Sequence, residues 1–421
     1  MRDPSRAPLA QHGRLGSRGP VASVLRILAI GLCVVLVAGV SIGAIAFERL
    51  RAGLEQNTVA LPGESDAAVP QIGAYSGAVN MLLVGSDTRN GQKGHYGANP
   101  GSTLNDVNIL VHISDDHTKA TVISLPRDLY VARPECTNPD TGATLAAASG
   151  VKINSVLEYG GLGCVRDTVA DLTGMTIPFV AMITFDGVVE MSNAVGGVPV
   201  CVAKRIDDDY TGLHLSAGEH VLKGTQALEF LRTRHGVGDG SDLTRISSQQ
   251  VFLSSLVRTM KSSATLTDVT KLYGLAIAAS QSMSLSSGLA NVDTMVSIGR
   301  AVASIPLGQF VLVQYPTVLY ADGLLPNLSA DKTLIAAVKA DKTLRLSKKQ
   351  VGATDGQGSV DRSGSSSSSP TPSSSSSSSS TATPSASSSS SSDDGVDLPD
   401  TVVGQTVEQQ TCSVGNDLGR R

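Results

Sequence analysis

An α/β sandwich, with helices packed over a central sheet, is the fold class this sequence predicts, preceded by one membrane-crossing helix. Three observations carry that reading. Ile27 to Phe47 runs without a charge behind a basic N-terminus. Short strand-like runs alternate with helix-spaced segments from Val79 to about Lys342. A Ser-rich stretch between Gly352 and Gly395 sets that block apart from a short C-terminal piece.

The apolar run explains an otherwise odd composition. The chain has 421 residues, 33 Lys+Arg against 37 Asp+Glu, and a formal net charge of −4. That balance gives no field for general nucleic-acid binding. Aromatics are only 3% and Trp is absent, yet mean hydropathy is +0.08, so an apolar block must offset the serines. At a rise of about 1.5 Å per residue, Ile27–Phe47 is long enough for a hydrocarbon core of roughly 30 Å. Arg2, Arg6, Arg14, Arg18 and Arg26 precede it, with Asp3 the only acid. The positive-inside rule then places the N-terminus in the cytoplasm and the rest outside, in a single-pass protein of the cell membrane. Ala44-Ile45-Ala46 resembles a signal-peptide cleavage site, but the apolar run exceeds the roughly 7–15 residues of a signal h-region, which favours an uncleaved signal-anchor.

The chain divides accordingly into a basic cytoplasmic tail (1–26), a transmembrane helix (27–47), a tether (48–78), a folded domain (79–345), a disordered Ser/Pro-rich linker (346–395) and a C-terminal stub (396–421). The linker cannot bury apolar surface, and its composition suits a wall-spanning spacer or a glycosylated stalk. The stub is too small to fold alone, although Cys412 could pin it to the domain. Cys33 lies in the span. Cys136, Cys164, Cys201 and Cys412 form an even set in an oxidising compartment. Three connectivities are open, and Cys136–Cys164 with Cys201–Cys412 is favoured. No CxxC occurs, which argues against a zinc or thioredoxin-like site.

Within the domain, NMLLVGSD reads as a buried strand ending at Gly85-Ser86-Asp87. DVNILVHISDD is a second strand, with Asp115-Asp116-His117-Thr118 as a hairpin turn before the third, KATVISLPRD, which Pro126 stops. Ile153 to Leu172 has helical spacing broken at Gly160-Gly161. FVAMITFD is a strand leading into a helix over Gly187–Ala194, which Gly196-Gly197 ends. Leu243–Met260 is a helix, with Asp242 as its N-cap.

Charged residues collect at the ends of these elements: Asp87 with Arg89, Asp106, Arg127-Asp128, and the FLRTRHG segment with Arg232, Arg234 and His235, followed by Asp242 and Arg245. If FLRTRHG is extended, Arg232 and Arg234 point the same way and form a fork for two phosphates. Taken singly, each residue has a plainer reading. Asp87 caps a loop, Arg127-Asp128 is a surface ion pair of small value, and the two arginines complement a helix end. His235 beside Gly236 is a C-cap contact, and Asp207-Asp208-Asp209 is a solvated acidic face.

Together the segments NMLLVGSDTR, LNDVNILVHIS, ISLPRDLYV, KINSVLEYGG and FLRTRHGVGDGSDLTRISSQQ resemble the LytR-CpsA-Psr family of cell-wall ligases, from about Val79 to Met260 and more weakly to Lys342. The low-aromatic composition and the LNDV motif are similar to actinobacterial members. The resemblance implies a three-layer α-β-α sandwich around a mixed central sheet. It also implies transfer of a glycopolymer, such as arabinogalactan or a teichoic-acid-like polymer, from a polyprenyl-(pyro)phosphate carrier to peptidoglycan, with Mg²⁺ (or Mn²⁺) as cofactor. The implied partners are the polyprenyl-pyrophosphate-linked glycan, the peptidoglycan acceptor and the membrane, with no nucleic acid.

Residue by residue, Asp87 and Asp106 match the acids that hold or orient the cation. Arg89, Arg127, Arg232 and Arg234 match the arginines around the pyrophosphate, and Lys152, Arg245 and Gln249 match further pocket positions. Asp87, Asp106, Arg127 and Arg234 are the implied catalytic set, with Asp87 or Asp106 acting as base through a bound water. The segments LEY and VAMITF are candidates for an apolar trough for the prenyl chain. This chain departs from the family pattern at Leu104-Asn105-Asp106, where an Arg commonly precedes Ser-Asp, and at Ser248-Gln249-Gln250, where Arg-Gln-Gln is frequent. A non-catalytic prenyl-phosphate binder that regulates the envelope, and a pyrophosphatase of the carrier, are the alternatives.

Overall fold

The computed structural model describes residues 20–61, 76–94, 96–97, 101–139, 141–262, 265–347, 359–361 and 395–418. Most of the basic tail, residues 62–75 of the tether and the body of the Ser/Pro-rich linker lie outside the described residues; the start of the tether continues the first helix to Asn57 and then enters the strand Thr58–Val59. The chain forms two compact units, Met1–Ala52 and Gly53–Arg421.

The first unit is described through a helix, Pro20–Asn57, which contains the expected span. Leu25, Ile27, Ile30, Leu32, Val34 and Val37 on it are exposed, as is the free thiol of Cys33. Among the described residues no helix is long and apolar enough to cross a membrane; several side chains of Pro20–Asn57 lie outside them.

The second unit is built on an eight-stranded sheet. Its order is Thr58–Val59, Met283–Ser286, Phe179–Ile183, Val79–Ser86, Asn105–Ile113, Ala120–Leu125, Phe310–Gln314 and Gly404–Thr406. The sheet is mixed. Val79–Ser86 runs antiparallel to Asn105–Ile113 and parallel to Phe179–Ile183, and Ala120–Leu125 runs parallel to Phe310–Gln314. Strand alternation supplies two apolar faces. Leu82 and Val84 pack with Val156, Val165, Val169, Leu334 and Val338 on one side. Met81 and Leu83 pack against a cluster with Leu253, Val257 and Ile298 on the other. Helices therefore cover both faces.

The Val156–Thr173 helix is bent where Gly160-Gly161 was expected to break it: Gly161 has φ +67°, a conformation that favours glycine. The helix after the Phe179–Ile183 strand begins earlier than expected, at Phe185, because the Thr184 hydroxyl accepts from Gly187 N–H as its N-cap. A third core, with Val198, Val200, Phe230 and Phe252, lies under a four-stranded sheet ordered Gly218–Leu222, Val198–Lys204, Thr411–Val414, Ser359–Asp361.

The C-terminal residues belong to this unit. Gly404–Thr406 extends the main sheet. Thr411–Val414 lies between Val198–Lys204 and Ser359–Asp361. Gly395–Asp397 pairs with Thr343–Arg345. Disulfides join Cys136 to Cys164 and Cys201 to Cys412, with S–S separations of 2.04 and 1.99 Å.

Candidate functional site

The charged residues meet at one end of the main sheet. Asp87 directly follows the Val79–Ser86 strand, and its loop is closed at the base in both directions. Asp87 N–H donates to Leu104 O at 3.1 Å, and Leu104 N–H donates to Asp87 Oδ1 at 2.7 Å. The neighbouring strand reaches the same point through a bulge: Gly85 pairs with Val107 and Ser86 with Asn105, which leaves Asp106 as the extra residue. A bulge re-aims a side chain at the end of a sheet, and here it turns Asp106 toward Arg127, 3.0 Å from its Nη1. Buried Asn105 fixes the bulge from below by donating to Asn108 Oδ1 and Ile153 O and accepting from Leu157 N–H.

Arg127 follows Pro126 in the turn after Ala120–Leu125. Besides Asp106, its Nε is 3.5 Å from both Asp128 and Asp242. Burial by itself lowers the Arg127 pKa, but the carboxylates of Asp106, Asp242 and Asp128 outweigh it and hold the pKa above its ordinary value. Arg245, one turn into the Asp242–Ser262 helix, lies 2.6 Å from Asp242 and donates to Asp106 O at 2.8 Å. Asp242 is thus not the N-cap that the sequence suggested. Ser241 Oγ accepts from Thr244 N–H instead, and the Asp242 carboxylate is drawn between two guanidinium groups.

Arg232 and Arg234 do not form the expected fork. The Thr225–Arg232 helix ends at Arg232, and only Thr233 is extended, with φ −61° and ψ 134°. The two side chains therefore leave from different geometries. Arg232 lies over the Phe185 ring with its Cζ 4.4 Å from the centroid; Arg234 joins Arg127 and Arg245. Among the described residues neither Arg232 nor Arg234 is paired with a carboxylate. Both have lowered pKa values. For Arg232 the cause is burial, then the positive charge of Arg89; for Arg234 it is burial, then the charges of Arg127 and Arg245. Such a positive surplus is relieved by an anion. Arg89 donates through Nε to the carbonyl of Asp87 at 3.2 Å and through Nη1 to that of Tyr96, and its Cζ lies 4.8 Å from the Phe185 centroid.

Two candidates are engaged elsewhere. Lys152 donates to the carboxylate and the carbonyl of Asp322, each at 2.9 Å, and reaches Asp128 at 3.8 Å, so it touches the cluster only through Asp128. Gln249 donates to Leu231 O at 2.9 Å and lines a narrow cleft with Asp106, Ser124, Asp242 and Arg245. Within the VAMITF segment, Val180 and Ala181 are in the sheet core, and Phe185 is the residue that reaches the arginines.

The acidic run was also misjudged. Asp207 and Asp208 are buried, not solvated. Asp208 accepts from the Thr233 hydroxyl at 2.5 Å and from the N–H groups of Arg234 and Gly236 at 3.2 and 3.3 Å. It therefore shapes the loop that carries Arg234. His235 is no C-cap contact; its ring lies 4.2 Å from that of Tyr210. Asp208, Asp242 and Phe185 were each read for another role, as a solvated acid, a helix N-cap and part of an apolar trough, and only Asp242 stood among the charged motifs.

Among the described residues no three His, Cys, Asp or Glu side chains gather as a metal centre. A pair is present. Burial raises the Asp87 pKa, Leu104 N–H opposes the rise, and the charge of Asp106 adds to it. One oxygen of each carboxylate is occupied, by Leu104 N–H and by Arg127 respectively. The pair suits a hard cation that takes one or two carboxylates and completes its shell with water and substrate phosphates.

A model of the LytR_cpsA_psr family matches residues 51–323. The chain belongs to the LytR-CpsA-Psr family. Among similar members, the cell wall biosynthesis protein LcpA of Corynebacterium glutamicum is 31% identical over 239 residues, 51% of this chain and 46% of that protein. The polyisoprenyl-teichoic acid–peptidoglycan teichoic acid transferase TagT of Bacillus subtilis is 27% identical over 236 residues, 54% of this chain and 67% of that protein. This LytR-CpsA-Psr chain spans about half the length of LcpA and of the related LcpB. The crystal structure of Bacillus subtilis TagV aligns with a TM-score of 0.49 at 19% identity, covering 63% of this chain and 97% of that one.

Proposed function

We propose that this protein is a membrane-anchored phosphotransferase that moves a glycopolymer from a polyprenyl-pyrophosphate carrier onto a sugar hydroxyl of peptidoglycan. The observation that supports this most directly is the surplus of half-buried guanidinium charge at Arg232 and Arg234, without carboxylate partners among the described residues, near the carboxylates of Asp87 and Asp106. Family membership and the names of its transferase relatives point the same way.

Phosphoryl transfer asks a protein mainly for positioning and for stabilisation of charge on phosphate oxygens. In the proposed reaction the acceptor hydroxyl oxygen bonds to the glycan-bearing phosphorus. The bond from that phosphorus to the bridging oxygen breaks, and prenyl phosphate leaves with the electron pair. Arg234 and Arg127 hold the phosphate undergoing attack, and Arg232 and Arg89 hold the leaving phosphate. Asp87, at the end of its strand beside Asp106, takes the hydroxyl proton through a water. Asp87 and Asp106 would also hold Mg²⁺, which when bound neutralises phosphate charge. The uncharged segment Ile27–Phe47 serves as the anchor, with the N-terminus in the cytoplasm and the domain outside.

The test is to incubate the full chain in detergent micelles with a polyprenyl-pyrophosphate glycan, Mg²⁺ and a peptidoglycan acceptor. Glycan linked to acceptor supports the reading. Phosphate release without linkage would indicate a pyrophosphatase, and donor binding without turnover an envelope regulator.

A further inference from the structure

The ring of Phe185 lies against two guanidinium groups at once, with Arg89 Cζ at 4.8 Å and Arg232 Cζ at 4.4 Å from its centroid. Arg89 and Arg232 come from elements far apart in sequence, and their like charges repel. Neither has a carboxylate partner among the described residues to hold it in place. What they share is the face of one half-buried aromatic ring. The negative potential of a ring face attracts a guanidinium, the more so where water is excluded.

We propose that Phe185 is a positioning residue that holds Arg89 and Arg232 as a single anion-gripping pair for a diphosphate. This rests on the reading of the site as a pyrophosphate site. Phe185 is itself fixed on both sides. It is the first residue of a helix capped by Thr184. Its neighbour Asp186 accepts from Lys93 N–H, Gly94 N–H and the Tyr96 hydroxyl at 2.5, 3.2 and 2.5 Å, while Gln92 Oε1 accepts from Asp186 N–H at 2.9 Å. The Tyr96 ring meets Phe185 edge-on at 5.4 Å, and Tyr96 O accepts from Arg89. The loop that carries Arg89 is therefore clasped to the residue that carries the ring. With the ring removed, Arg89 stays on the Asp87 and Tyr96 carbonyls while Arg232 loses the contact that holds it beside Arg89, and an incoming diphosphate has to draw it back.

The experiment is calorimetric titration of inorganic pyrophosphate, with Mg²⁺ present, into the full chain in detergent micelles. Phe185→Leu, which keeps apolar bulk but has no ring face, should weaken binding about tenfold, and Phe185→Tyr should restore it to within about twofold. Adding Arg232→Ala to Phe185→Leu should cost less than Arg232→Ala costs in the wild type, because the ring acts through that arginine. Wild-type affinity in Phe185→Leu, or strictly additive losses in the double variant, overturns the proposal. Arg234→Ala separates the two levels. If it abolishes binding while Phe185→Leu does not, the site reading stands and the Phe185 role falls. If it binds pyrophosphate normally, both fall.

Discussion

The guanidinium of Arg234 faces two other arginines and is held there by its own main chain, which Asp208 pins. Replacing Arg234 by Ala removes a charge assigned to the proposed phosphate grip, from a half-buried position outside the core. Transfer should fall by about 10²–10³ in kcat, with an unchanged thermal midpoint; activity close to wild type would remove Arg234 from the phosphate grip. Asp208→Asn is a different kind of change. It sets an amide against three donors and should destabilise the fold by about 1–3 kcal/mol, read from urea unfolding, while also lowering transfer. Asp87 gives a pH prediction. Its carboxyl is raised by burial above the ordinary 3.8, so between 3.8 and the raised value the folded state binds more protons than the unfolded one. Stability from this group is therefore present below that window and lost as pH rises through it. Cation binding needs the charged form, so Mg²⁺ affinity should decline on the acid side of the window. Asp87→Asn should abolish that pH dependence in a calorimetric titration, and an unaltered profile would exclude Asp87 as a ligand.

At the scale of elements, the site is made by small irregularities rather than by the regular strands. Alternation of apolar residues made the Val79–Ser86, Asn105–Ile113 and Ala120–Leu125 strands legible, and the motif spacing pointed to Asp87, Asp106 and Arg127. It could not reveal the bulge at Asp106, because one extra residue leaves the apolar pattern of Val107–Ile113 intact. The termination of the Thr225–Arg232 helix was hidden for a similar reason: FLRTRHG suits an extended segment and a helix end equally, and only the Asp208 contacts decide. Ser248, where the resemblance led to an expectation of arginine, is fully buried with its hydroxyl 2.7 Å from that of Ser413. The Thr411–Val414 strand takes the space an arginine would need. The kink at Gly161 was legible as a glycine pair, and its cause is local. A Cβ there would meet Pro139 Cγ at 2.6 Å and Cδ at 2.9 Å, on top of the φ penalty. Gly161→Ala should cost roughly 1–3 kcal/mol in urea unfolding, and a neutral result would mean that the Pro139 loop moves aside freely.

The whole second unit is closed by long-range contacts that composition could not show. The Ser-rich tract reads as a spacer in sequence, yet the strands flanking it return to one body. Ser359–Asp361 pairs with Thr411–Val414, and Gly395–Asp397 pairs with Thr343–Arg345. Excising residues 366–390 should therefore leave transfer intact, whereas truncation after residue 361 should abolish soluble, active protein; equal effects of the two deletions would contradict this architecture. Cys412→Ser should cost about 2–5 kcal/mol in thermal or urea unfolding of the oxidised protein. Beyond Cys412, Gly238 N–H donates to Val414 O at 3.0 Å, and Asn416 N–H and Nδ2 donate to Gly236 O and Gly238 O at 3.0 and 2.8 Å. These bonds seat the Arg234 loop on residues made long after it. Cys201 and Cys412 are 211 positions apart, so the strand between Val198–Lys204 and Ser359–Asp361 stays missing while the intervening chain is synthesised. A nascent chain thus carries Arg89, Arg127, Arg232, Arg234 and Arg245 well before it can assemble them, and the proposed grip on a pyrophosphate waits until residue 416 has been made.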